Sequence, residues 1–352
     1  ESVGLGRTQT ISKEYFSLTA LFGDVFKKVD NLSAEERGQS AFLIPTSEGS
    51  EVYGQYNRLI RSKLDQDSYK DVSIIAPYLE DLILEDEILD LPLALLAGDI
   101  VMTSDSGMRD EILDEILSAA VEGELKVELL EDLAKKIASN QKKFQNRNKL
   151  SLIGEPTILF NDFMNNFVTR ELEEQGIKLL FQPLSEVISF SWKGKLEILK
   201  DQKKIFKYRS AKRKFFEFQR KISKIDNILK SYSPFNHDLD HIEDKADEYL
   251  GMYTGGLGRY RSGKLAAAVN KSDGVLLMSS LYENTGTILD ILTDSVQKNS
   301  QVPILNLKFD GTTSKNDKIR LETFIHYLLE EEQGEQNYLP NDEQGDKHEL
   351  AN

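Results

Sequence analysis

The sequence predicts the α/β class, built as two doubly wound parallel-sheet domains with helical insertions. Three observations predict it. Short apolar runs such as Phe42-Leu43-Ile44 and Val275-Leu276-Leu277-Met278 have the length of buried strands and are bounded by Pro, Gly or polar residues. Stretches with apolar residues at helical spacing alternate with them. The chain has 352 residues, enough for two or three domains that each bury a core.

Taken in order, residues 1–11 open polar. Ser12 as N-cap, followed by Phe16, Leu18, Leu21, Phe22, Val25 and Phe26, predicts an amphipathic helix. Phe42, Leu43 and Ile44 form a strand that Pro45 stops. Thr46, Ser47, Glu48, Gly49 and Ser50 read as a loop, and Tyr56, Leu59 and Ile60 open a helix. A strand, a Gly-bearing loop and a helix N-terminus bring free N–H groups to a strand's carboxyl end, where open α/β sheets bind ligands. Val72 to Ala76, closed by Pro77, is the next strand. The βαβ unit so formed predicts a parallel sheet. Residues 79–149 are helical by pattern (Leu82, Ile83, Ile112, Leu113, Ile116, Leu130, Leu133), with solvated faces of Asp and Glu. Together 1–149 make a first domain.

A second domain spans 150–330. Its predicted elements are a strand at 152–160, a helix at 161–175 with Asn161 as N-cap and Gly176 as C′ residue, and a strand at 177–181. A helix starting at Pro183 follows. Residues 193–230 hold fourteen Lys and Arg against four Asp and Glu. This is read as one long helix or a helix pair whose aromatics pack and whose lysines are solvated, the alternative being a surface for nucleic acid or another anionic partner. Next come a helix at 242–250, a Gly-rich loop at 254–258 and a helix at 264–269. The strands at 275–278 and 304–309 alternate with helices at 287–296 and 319–329. Residues 331–352 are Glu, Gln, Asn, Asp and Gly, and read as a disordered acidic tail. The alternation places both domains in the Rossmann/flavodoxin-like group.

Composition narrows the function. A net charge of −15 argues against nucleic acid as a partner, since backbone recognition needs a basic face. Asp99 interrupts the longest apolar run, so no membrane span is expected. The first residues lack a basic and an apolar region, so no signal peptide is expected, and the cytoplasm is the expected compartment. The absence of an initiator Met suggests a fragment of a longer protein. There is no cysteine, which removes disulfides, a thiolate nucleophile and Cys-ligated metal or iron–sulfur sites.

Two local motifs carry little. Gly258, Gly263 and Lys264 have phosphate-loop spacing, but Leu265 stands where a hydroxyl must hold magnesium, and the preceding segment is helical. His237 and His241 have helical metal-ligand spacing, but among Asp238, Asp240 and Asp244 they suit a helix start.

Four stretches together resemble the 2-hydroxyacyl-CoA dehydratases, in particular the dehydratase-like domain fused to an ATP-dependent activator. In the first, Glu14, Leu18, Gly23 and Asp24 fit a Glu-Cys-x-x-Leu pattern running into a Gly-Asp helix, with Tyr15 in place of the Cys. In the second, the family's Gly-Pro-Cys-Arg-Phe-Gly-Gln-Tyr is matched by Gly49, Gly54, Gln55, Tyr56, Asn57 and Arg58, with Glu51 at the Cys. In the third, Gly154, Glu155, Asn165, Asn166, Glu173 and Gly176 match the opening of the family's second domain. The fourth runs over 271–324. Its Cys-Met-Pro-Gly-Thr-like turn reads Glu283-Asn284-Thr285-Gly286-Thr287, and Asp310, Gly311, Asn316, Asp317 and Arg320 match the closing strand and helix. The likeness covers about half the chain, in order.

The resemblance implies that Tyr15, Glu51 and Glu283 converge between two α/β domains, where three cysteines hold a [4Fe–4S] cluster in the family. Gly49, Gly54, Gln55, Tyr56, Asn57, Arg58 and Gly286 support that site. Phenol and carboxylate are hard oxygen donors, poorly suited to a low-potential cluster. The expectation is therefore no cofactor, no confident catalytic residue and a pseudoenzyme or scaffold. The partners it implies are an activator-like ATPase domain or the rest of a fused polypeptide, and acyl-CoA. The alternative is an enzyme or binding protein that uses Glu51, Glu283 and Tyr15 to hold a divalent metal or a small ligand. Glu51, at a helix mouth, is also favoured there by the helix dipole alone.

Overall fold

The computed structural model describes residues 1–352 apart from 12, 48–51, 68, 86–89, 142–147, 236–238, 251–255 and 337–352. Helix α1 (Ser2–Gln9) packs on α2 (Phe16–Asp30) with their backbones in near contact. A Cβ on Gly6 would lie 1.8 Å from the Thr19 carbonyl oxygen, so this crossing requires glycine. A short helix, α3 (Ala34–Gly38), leads to β1 (Ala41–Leu43). A 3-10 turn at Val52–Gln55, helix α4 (Tyr56–Gln66) and β2 (Ser73–Ile75) complete the first βαβ unit. The two strands are parallel, with Phe42 opposite Ile74. Leu18, Phe22, Phe26, Tyr56, Ile60 and Leu64 form its core.

Three helices follow: α5 (Asp90–Thr103), α6 (Ser106–Val121) and α7 (Val127–Gln141). Then come β3 (Lys149–Gly154), α8 (Pro156–Leu159), α9 (Val168–Glu174) and β4 (Lys178–Phe181). A helical pair, α10 (Leu184–Asp201) and α11 (Ile205–Leu229), precedes α12 (Leu239–Leu250) and α13 (Gly256–Ala268). The chain closes with β5 (Gly274–Ser280), α14 (Asn284–Ser300), β6 (Ile304–Phe309) and α15 (Lys315–Gln336).

The second sheet has four parallel strands in the order β4-β3-β5-β6. Period-two alternation buries both faces. Leu150, Leu152, Leu276, Met278, Leu305 and Leu307 face α8, α9 and α15 on one side. Ile153, Val275 and Leu277 face Leu265 and Ala268 of α13 and Leu289 and Val296 of α14 on the other. The protein is thus α/β with two small parallel sheets. Among the described residues no helix is long and apolar enough to cross a membrane.

The helical segments within 79–149 and 193–230 share one core. Leu96, Ile100, Ile112, Leu130 and Ile137 pack with Phe190, Trp192, Phe215, Phe218 and Ile225. The predicted helix pair is found, and Phe215 and Phe218 pack as expected. Phe206 and Phe216 instead stand exposed.

Several boundaries differ from the sequence expectation. The strand at 42–44 starts one residue earlier, at Ala41, the one at 72–76 shrinks to Ser73–Ile75, and both are only half covered. Leu43 and Ile75 are 67% and 56% exposed, because the alternation turns them away from the single packed face of a two-stranded sheet. The strand predicted at 152–160 ends at Gly154, and Pro156 opens α8. The helix predicted at 161–175 begins only at Val168, because Asn166 and Phe167 adopt left-handed backbone. Gly176 does take the left-handed conformation predicted for it. Gly256 and Gly258 lie within α13 rather than in a loop. Helix α15 runs to Gln336, into the stretch expected as an acidic tail from 331, and 337–352 lie outside the described residues. The Ser12 cap, His237 and most of the 46–50 loop lie outside the described residues.

A buried polar cap ties α5 to α10. The N-cap of α10 is Pro183, which has no side-chain acceptor. Asp99 of α5 supplies one, accepting from the backbone N–H groups of Leu184 at 2.7 Å and Ser185 at 2.9 Å. Burial outweighs these donors and pushes the Asp99 pKa up to about 7. A carboxyl whose folded pKa lies above its unfolded value binds its proton more tightly in the native state. Stability therefore falls as pH rises from the ordinary value of 3.8 towards about 7, and levels off above it. The upper limit of that fall is about 4 kcal/mol. The two donors use different oxygens, so Asp99→Asn keeps one bond and sets its NH2 against the other N–H; the variant is expected to be less stable at every pH and to lose this part of the pH dependence. Urea unfolding of both proteins between about pH 5 and about pH 8 measures it. Parallel profiles would contradict the assignment.

Candidate functional site

In the order β4-β3-β5-β6, the chain leaves β3 towards β4 and leaves β5 towards β6. The carboxyl ends of β3 and β5 therefore face a crevice, the place where such sheets accept ligands. The two strands come together closely there. A Cβ on Gly154 would lie 1.8 Å from the Met278 carbonyl oxygen, and Glu155 donates its backbone N–H to that oxygen at 2.9 Å. The Glu155 carboxylate accepts from the Ser280 N–H at 3.0 Å and the Ser280 hydroxyl at 2.6 Å. Thr157 donates to its other oxygen at 3.1 Å.

The N-terminal unit docks on this edge. The Ser17 hydroxyl, in the first turn of α2, lies 2.5 Å from the Thr157 hydroxyl. Tyr15, the α2 N-cap, places its phenol oxygen at the first turn of α14, where it accepts from the Asn284 N–H at 3.1 Å. Glu283 is the α14 N-cap, yet its carboxylate turns away from the helix. It accepts from the Arg261 guanidinium at 2.6 Å, and both side chains are buried. Gly286 keeps this turn open, since a Cβ there would meet the Ser279 hydroxyl and the Lys308 ammonium. Lys308 donates to Ser279 at 2.9 Å and pairs with Asp290 at 3.2 Å. Burial lowers the Lys308 pKa against the pull of Asp290.

Two of the three positions singled out from sequence thus meet: Tyr15 touches the residue that follows Glu283. Glu51 and Gly49 lie outside the described residues. Of the supporting residues, Tyr56 is buried, and its electrostatic neighbours are Glu155, Glu283, Tyr15 and Glu14. Burial first, then these groups, hold its phenol far above the ordinary range, so it stays a proton-bearing donor. Gly54 accepts at its carbonyl from Thr46 at 2.6 Å. Gln55 and Arg58 are exposed and bond to each other at 3.1 Å, and Asn57 is half-buried.

Sequence reasoning missed Arg261, Ser17, Ser280 and Lys308. A signal for Arg261 is present. It sits among Gly258, Ser262, Gly263, Ala266 and Ala267, a run of small residues that only a buried helix face accommodates. Lys264, in the weak phosphate-loop motif, is buried and donates to Glu186 at 2.6 Å, as does Tyr260 at 2.8 Å. That motif is structural.

No family model, curated protein or solved structure matches the chain.

An iron–sulfur cluster, which the dehydratase resemblance would imply, does not fit these side chains. Glu283 is committed to a buried arginine and Tyr15 to a helix N–H, and both are hard oxygen donors. Among the described residues no group of three or more His, Asp or Glu side chains is placed to hold a metal ion. Beside the crevice lies an open cleft of about 520 Å³, bounded by Arg7, Glu14, Phe16, Tyr282 and Asp310.

Removing Glu283 strands a buried guanidinium. Glu283→Ala is expected to cost about 3–5 kcal/mol of stability, whereas the double variant Arg261→Leu with Glu283→Leu recovers most of it. Urea unfolding of the two variants is the check, and equal losses in both would show that the pair is not coupled.

Proposed function

We propose that the chain is a cluster-less relative of the 2-hydroxyacyl-CoA dehydratases, and that it acts as a scaffold or partner-binding domain in a larger dehydratase/activator-type polypeptide of the cytoplasm. The observation that carries this reading is the engagement of Tyr15 and Glu283. They come together at the carboxyl edge of the second sheet, in the turn that corresponds by resemblance to a cluster-ligand loop. Both are already occupied, by Asn284 and Arg261. A site whose polar groups satisfy one another holds elements in place and offers little to a substrate. We read the four-stranded sheet, covered by helices on both faces, as the doubly wound second domain of that family. The first βαβ unit is read as the remnant of the other domain.

A ligand-binding reading of the same edge draws on the cleft of about 520 Å³ next to Glu14 and Tyr282. Its size suits part of a small acyl-CoA-like ligand. An acyl-CoA that raises the unfolding temperature and competes with covalent labelling at Tyr282→Cys would favour it over the scaffold.

Anaerobic reconstitution with iron and sulfide tests the leading reading. The native chain is expected to take up no cluster and stay colourless. The triple variant Tyr15→Cys, Glu51→Cys, Glu283→Cys, made with Arg261→Leu to avoid a stranded charge, is expected to turn brown with stoichiometric iron. A native chain that holds a cluster would overturn the cluster-less reading. A folded quadruple variant that takes up no iron would overturn the family reading.

A further inference from the structure

Two helix faces, on α11 and α6, expose large apolar side chains that nothing among the described residues covers. On α11, Phe206 is 87% and Phe216 57% exposed. Arg209, Arg213 and Arg220 fall on the same side of the helix by spacing, and all three are exposed. Lys212 lies 5.7 Å from the Phe216 ring centre, so the aromatic is framed by cations. On α6, Leu113, Leu117 and Val121 recur every four residues and are 39%, 51% and 88% exposed. Asp110 and Asp114 are exposed on the same stripe.

One face is therefore cationic and aromatic, the other anionic and aliphatic. Each offers large apolar side chains, which an isolated solvated helix does not need on its outer side. They cannot meet within one molecule, because α7 lies between them. Lys136 of α7 pairs with Glu111 of α6 at 2.8 Å, and Glu131 of α7 pairs with Lys224 of α11 at 3.0 Å.

We propose that the α11 face of one copy of this chain binds the α6 face of another. Because the two surfaces differ, the association is heterologous and head-to-tail, closing into a ring or growing as an open chain. The charge arrangement selects this occupant. The whole chain carries −15, so like copies repel except where the basic α11 face meets an acidic one. A contact made by single helices is small, which makes the association weak and salt-sensitive.

Sedimentation velocity of the full chain tests it. The average mass is expected to rise with concentration from about 1 to about 200 µM. Raising salt from about 50 to about 500 mM weakens the association about tenfold or more. Variant one carries Arg209→Glu, Arg213→Glu and Arg220→Glu; variant two carries Asp110→Lys and Asp114→Lys. Each alone is expected to remain monomeric. An equimolar mixture is expected to associate again, since the native α6 face of variant one meets the native α11 face of variant two, and the reversed faces, Glu on α11 and Lys on α6, are complementary as well. A native chain that stays monomeric overturns the proposal, and does so whether or not the variants fold. So does assembly that persists in both variants, or a folded mixture that does not associate. Binding of a monomeric native chain to phosphatidylcholine vesicles only when they contain phosphatidylserine would reassign the α11 face to an anionic lipid surface.

Discussion

The close approach of β3 and β5 at Gly154 fixes the geometry of the carboxyl edge. Without a side chain at 154, the Met278 carbonyl comes near enough to accept the Glu155 N–H. That contact aims the Glu155 carboxylate at Ser280. Ser280 and Thr157 then present hydroxyls to Ser17, and α2 starts where they hold it. Tyr15 comes to the first turn of α14 as a consequence. The order of cause runs from one missing methyl group to the seating of the whole N-terminal unit.

The second constraint is the burial of charge. Arg261, Glu283, Lys264, Glu186, Asp99 and Lys178 are all largely buried. Desolvating such groups costs as much as their pairing returns, so they add little net stability. What they do add is penalty for any other arrangement. Lys178 reaches the Thr103 carbonyl at 2.6 Å, Asp99 caps α10, and Lys264 meets Glu186. The first ties β4 to α5, the second α5 to α10, and the third α10 to α13, so the helices and the sheet are held in one register. Sliding α5 by one turn would leave both the α10 N-terminus and Lys178 without their partners. The helical core is apolar and tolerant of repacking on its own; these ties select one docking.

The sequence was most legible where burial is complete. Val275-Leu276-Leu277-Met278 has no polar interruption, and β5 lies at the centre of the sheet with every residue buried. It was least legible where the chain turns against its own pattern. The helix over 161–175 satisfies capping rules, yet Asn165, fully buried, donates to the Ile158 carbonyl at 3.0 Å and holds a turn in place of the first helical turns. Helix α1 was missed because two glycines and few apolar residues give it no amphipathic signal; it forms because Gly6 and Gly23 let it touch α2. At the candidate site, Tyr15 and Glu283 were reached through resemblance alone. Arg261, the partner that decides what Glu283 does, lies 22 residues earlier in a helix with no charge pattern.

That pairing also decides how the crevice behaves. A helix N-terminus with a free first turn attracts an anion, because the N–H groups and the dipole both favour negative charge. In α14 the first N–H already has the Tyr15 phenol as acceptor, and the carboxylate of the N-cap residue Glu283 is paired with Arg261. The local field is therefore spent inside the protein. An incoming anion would have to displace a phenol and would gain only a shared, buried guanidinium in return. Burial first, and then the nearby charges of Glu155 and Glu283, keep the Tyr56 phenol protonated at this edge. At this edge Tyr15, Glu283 and Arg261 turn their polar groups on the protein itself, and that mutual engagement seats α2 and α13 against the start of α14.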